Sequence, residues 1–137
     1  MDKTGKIKKA VFTVLAVLIL GLLFAGCSSP KTLTEDNNGA SIELNLDDTV
    51  EIKLESNPTT GYSWFLSEET TGSAVSVTGP QYIEPEKEKD VVGKGGYEIF
   101  TITAVSRGKA EIILNYERPW EEEEEPIEIF KVTVSVK

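Results

Sequence analysis

Phe130-Lys131-Val132-Thr133-Val134-Ser135-Val136-Lys137 alternates apolar and polar side chains without a break. A period of two places every apolar residue on one face of an extended strand and every polar residue on the other. The same period runs through Lys109–Glu117, where Ala110, Ile112, Leu114 and Tyr116 share a face. Further back, Val50, Ile52 and Leu54 alternate with Glu51, Lys53 and Glu55, and Ile42, Leu44 and Leu46 with Ser41, Glu43 and Asn45. Tyr97–Val105 is richer in apolar residues and reads as a central strand; Tyr62–Leu66 reads as another. Turn chemistry separates these segments at Asp47-Asp48, Asn57-Pro58, Gly79-Pro80, Gly93 to Gly96, Arg107-Gly108 and Arg118-Pro119. Roughly seven or eight short antiparallel strands in about 100 residues predict an all-β sandwich or barrel of immunoglobulin-like type. Most Asp and Glu residues are expected on the wet faces of those strands.

The segment before the strands has a different character. Lys3, Lys6, Lys8 and Lys9 precede an apolar run, Ala10–Ala25, of about 16 residues, short of the roughly 20 that span a bilayer. A basic start, an apolar stretch and a small-residue processing site make residues 1–26 an export signal. Leu23-Phe24-Ala25-Gly26-Cys27 resembles a bacterial lipobox, with Phe24 where leucine is usual. The resemblance implies a lipid on Cys27, and so an exported domain anchored to the cell envelope outside the cytoplasm. Residues 27–40 are polar, rich in turn formers and without periodicity, which predicts a flexible tether. The folded domain is expected over 41–137.

Composition excludes several functions. The whole chain of 137 residues carries a net charge of −9, and removing the signal strips four lysines but only one acidic residue, Asp2. So acidic a surface repels phosphate backbones, and nucleic-acid binding is excluded. Histidine is absent and Cys27 is the only cysteine, so no Ser-His or Cys-His pair, disulfide or ordinary zinc site can form. No metal, cofactor or catalytic residue is expected, and the chain does not read as an enzyme.

The fold alone assigns no function, so the loops must. Asn57-Pro58-Thr59-Thr60-Gly61-Tyr62 is a turn with φ fixed at Pro58 and a left-handed position allowed at Gly61. Gly93-Lys94-Gly95-Gly96 permits close backbone approach but lacks the spacing and following helix of a phosphate loop. Arg118-Pro119-Trp120 sets a tryptophan beside a rigid proline, and Trp and Arg are enriched at binding hot spots.

In this order within a small β domain, the three motifs resemble those of the chagasin family of cysteine peptidase inhibitors, over about Ser41–Lys137. The resemblance implies an immunoglobulin-like domain whose three loops clasp a papain-like cysteine peptidase reversibly, without a covalent step. Asn57, Pro58, Thr59, Thr60, Gly61 and Tyr62 would form the loop entering the cleft, with Thr59, Thr60 and Gly61 nearest the catalytic residues. Gly93, Gly95 and Gly96 would lie along one side, and Arg118, Pro119 and Trp120 would brace the other. Tyr62 and Trp64 would support the first loop from beneath. A monomer fits this mechanism, and the membrane is a partner only through the lipid on Cys27. The alternative is a membrane-tethered adhesion or ligand-binding sandwich, which needs only an exposed aromatic patch such as Trp120. The run Glu121–Glu125 reads as a solvated loop tip, with electrostatic steering toward a basic enzyme surface as the sharper possibility.

Overall fold

The computed structural model describes residues 31–85, 95–121 and 123–137. Its eight strands are β1 Lys31–Leu33, β2 Ser41–Leu44, β3 Thr49–Ser56, β4 Ser63–Leu66, β5 Val75–Ile83, β6 Gly96–Ala104, β7 Gly108–Glu117 and β8 Glu128–Val136. They form two four-stranded sheets, ordered β1-β3-β6-β5 and β2-β8-β7-β4. The expected alternation holds. Val50, Ile52 and Leu54 of β3, Ile112 and Leu114 of β7, and Phe130, Val132 and Val134 of β8 are buried in one apolar core. Each sheet turns its inner face to the other, which is the sandwich solution to burying two half-apolar sheets.

Three features depart from the reading of the sequence. The sheets are mixed rather than purely antiparallel, because β1 runs parallel to β3 and β2 parallel to β8. The tether expected over 27–40 is ordered from Lys31: β1 pairs with β3, Leu33 enters the core, and a 3₁₀ turn spans Glu35–Asn37. Its residues 27–30, with Cys27 and the signal 1–26, lie outside the described residues. Gly79-Pro80, expected to divide two strands, instead sits inside β5, where the pairing with β6 shifts register between Thr78 and Gln81. β5 is an edge strand, where a residue without an N–H is tolerated.

Candidate functional site at the loop end

Strand register brings the three loops together. Ser56 at the end of β3 lies opposite Gly96 at the start of β6, and Ile83 at the end of β5 lies opposite Tyr97. In the other sheet Ser63 opposes Glu117, and Tyr116 opposes Glu128. The connections 57–62, 84–95 and 118–127 therefore leave the same end of the sandwich. Residues 57–62 also join one sheet to the other.

The first loop is closed by its own hydrogen bonds. Pro58–Thr60 form a 3₁₀ turn capped by Asn57, whose side chain accepts from Thr59 N–H at 3.3 Å and Thr59 Oγ1–H at 2.6 Å. Thr60 Oγ1 donates to the Asn57 carbonyl at 2.6 Å, and Gly61 N–H to the Pro58 carbonyl at 3.0 Å. Gly61 then takes φ +82°, which a residue with a Cβ adopts only under strain. Pro58, Thr59 and Thr60 are exposed at the tip. A proline-started, internally bonded tip has little freedom left to lose on docking.

The third loop latches onto the first. Trp120 is 65% exposed, so it is not a core residue, yet its ring covers Gly61. A Cβ at Gly61 would stand 2.5 Å from Trp120 Cη2, so only glycine lets the indole lie there. Arg118 turns inward rather than outward. Its Nε donates to the Thr60 carbonyl at 3.1 Å, its guanidinium lies 4.4 Å above the Tyr62 ring, and Nη1 pairs with Glu121 at 3.1 Å. Glu121 is thus withdrawn from the acidic run, whereas Glu123, Glu124 and Glu125 are exposed. Pro119 is exposed between Arg118 and Trp120.

Of the second loop, Gly95 and Gly96 are described and Gly93 is not. Their close approaches are to this chain's own backbone. A Cβ would meet the Ser56 carbonyl oxygen at 2.7 Å from Gly95, and the Ile83 carbonyl oxygen at 2.2 Å from Gly96. Gly95 allows the root of the second loop to pack against the root of the first, and Gly96 lets the two stems of the second loop lie close together.

Beneath the loops lies a polar floor. Trp64 is buried and donates from Nε1 to the Glu55 carbonyl at 2.9 Å, bridging the sheets. Tyr116 accepts from Asn57 N–H at 3.0 Å, and its ring packs between those of Tyr62 and Trp64, with centroids at 5.5 and 5.0 Å. Glu98 of β6, only 4% exposed, accepts from Trp64 N–H at 2.8 Å and from the Ser63 hydroxyl. An open cleft of about 450 Å³ lies beside this floor, lined by Ser56, Gly96, Tyr116 and Glu128 among others. Glu98 and Tyr116 are the residues that sequence reasoning missed. The available signal was period two: Glu98 shares its parity with Phe100, Ile102 and Ala104, the inward residues of β6.

The arrangement offers a prearranged end with exposed Thr59, Thr60 and Trp120, and a backbone held from behind. Such a surface suits insertion into a groove better than turnover of a substrate. Chagasin of Trypanosoma cruzi is 33% identical over 91 residues, covering 64% of this chain and 81% of chagasin. The crystal structure of the cysteine protease inhibitor EhICP2 from Entamoeba histolytica superposes with a TM-score of 0.69 at 26% identity, over 78% of this chain and 95% of that one. PbICP-C, solved in complex with falcipain-2, shares the fold, with a TM-score of 0.55 at 20% identity over 80% of this chain and 92% of that one. Residues 43–134, from β2 to β8, match the chagasin family peptidase inhibitor I42, and the chain belongs to that family.

Proposed function

We propose that this chain is a tight, reversible, non-covalent inhibitor of papain-like cysteine peptidases, and that its loop end fills the active-site cleft. Inhibition of cysteine peptidases follows from the family and from the inhibitor EhICP2. A papain-like target is supported by PbICP-C, whose partner falcipain-2 is such an enzyme. The observation that carries the cleft-blocking role is the latch. Trp120 over Gly61 and Arg118 on Thr60 fix the first and third loops as one body before any enzyme arrives. Thr59 and Thr60 would enter the cleft, with Trp120 against its wall. A standard interface of roughly 800 Å² per partner is within reach of such an end. Papain inhibited by the full chain should regain activity on dilution, and mass spectrometry should recover the chain uncut and unattached. A lasting adduct or a cleaved chain contradicts the mechanism.

We also propose that Cys27 carries a lipid, on the strength of Leu23-Phe24-Ala25-Gly26-Cys27. Only Ser28, Ser29 and Pro30 separate it from β1, and Lys31 pairs with Val50, at the end of β3 opposite the loops. An anchor there would leave the loop end facing away from the membrane. Cys27→Ser should move the chain from the membrane fraction to the soluble fraction on cell fractionation; an unchanged distribution contradicts lipid anchoring.

A further inference from the structure

Glu98 is the one buried acidic side chain among the described residues. Its surroundings are those of a tie rather than a core filler. β4 is an edge strand, so Trp64 N–H, which a neighbouring strand would otherwise take, needs a partner. The carboxylate of Glu98 supplies it from the other sheet at 2.8 Å and takes the Ser63 hydroxyl as well. Ser63 and Trp64 directly follow the first loop, while Glu98 stands two residues beyond Gly96 at the root of the second. One side chain thereby joins the exits of both loops across the sandwich.

We infer that Glu98 is a positioning residue for inhibition: it holds the first loop in register with the second, although it lies too deep to touch the enzyme. The inference rests on the inhibitor reading above and names a residue outside its three motifs. The physics separates such a role from plain stabilisation. A variant that is merely less stable remains almost wholly folded well below its melting temperature, so its inhibition constant is unchanged. A variant whose loop samples other positions loses affinity in proportion to the fraction that is competent.

The test uses the full chain against papain at 25 °C, with Glu98→Ala, Glu98→Gln and Ile102→Ala. Ile102 is fully buried on the same strand toward the other end, so its truncation is the control for stability alone. Glu98→Ala should raise the inhibition constant about 10- to 100-fold, the range for hydrogen bonds to a charged group. Ile102→Ala should lower the melting temperature and leave inhibition unchanged. Glu98→Gln should restore most of the affinity, since its amide oxygen can accept from Trp64 N–H while its NH₂ donates to Ser63 Oγ. A second readout does not depend on any enzyme: the NMR amide shifts of Thr59, Thr60 and Gly61 should move in Glu98→Ala and stay in Ile102→Ala. If Glu98→Ala does not fold, Ser63→Ala removes one donor and should move the same amides by less. Unmoved loop amides and unchanged inhibition in the folded Glu98 or Ser63 variants overturn the inference. Failure of the wild type to inhibit papain contradicts the inhibitor reading instead, and the amide shifts still decide this one.

Discussion

The middle of the sandwich and its loop end are held by different forces. In the middle, Val50, Ile52, Phe100, Ile102, Ile112, Val132 and Val134 are at most 1% exposed, and the sheets meet through apolar contact. At the loop end the sheets meet through hydrogen bonds: Trp64 Nε1 to the Glu55 carbonyl, Asn57 N–H to the Tyr116 phenol oxygen, and Ser63 Oγ–H and Trp64 N–H to the Glu98 carboxylate. Apolar burial is strong but non-directional, so it fixes the stacking of sheets without fixing where a loop points. Hydrogen bonds in a low-dielectric floor are directional and fail when one partner moves. The first region sets whether the chain folds; under the proposed function, the second sets whether the folded chain inhibits.

Substitutions in the two regions should therefore separate stability from inhibition. The largest effect is expected in the middle. Phe100→Ala should cost about 3–5 kcal/mol of stability, read by urea unfolding, while the protein that remains folded inhibits as before. A parallel loss of affinity in that folded fraction would break the distinction. At the other region the order reverses. Trp120→Ala removes an exposed ring, so stability should hold while the inhibition constant rises roughly 30- to 1000-fold, about 2–4 kcal/mol. Gly61→Ala should displace that same ring and strain the left-handed position, for about 1–3 kcal/mol of lost affinity. Additive losses in the double variant would contradict the latch, because both changes act on one contact. The smallest effect belongs to Tyr116→Phe, which leaves Asn57 N–H without the phenol oxygen it uses. About 1 kcal/mol should appear in unfolding and inhibition together, since this residue serves both regions.

The middle was legible in the sequence, whereas of the floor only Tyr62 and Trp64 were read as support for the first loop and its polar ties were not, for the same physical reason. A face buried wholly by apolar residues prints a period of two, and β3, β7 and β8 carry it openly in Val50 to Leu54, Ala110 to Tyr116 and Phe130 to Val136. Short or exposed edge strands print almost nothing. β1 offers one inward residue, Leu33, and β5 is exposed along most of its length, so Gly79-Pro80 looks like a turn. The direction of pairing is invisible to alternation, which is why the parallel β1 and β2 were unforeseen. The loop motifs stood out because their residue types are unusual. Where Arg118 and Gly95 point could not be read, since both are committed to contacts far away in sequence, with Thr60 and Ser56. Glu98 was hidden by its charge, which suggests a wet face to any reader who follows composition rather than parity.

Titration of papain with the full chain tests the central claim most directly, with Trp120→Ala run in parallel. Activity should fall stoichiometrically at nanomolar wild-type chain, with the variant displaced to much higher concentration. No inhibition at micromolar chain, or equal inhibition by the variant, would contradict the assignment of the loop end as the inhibitory surface.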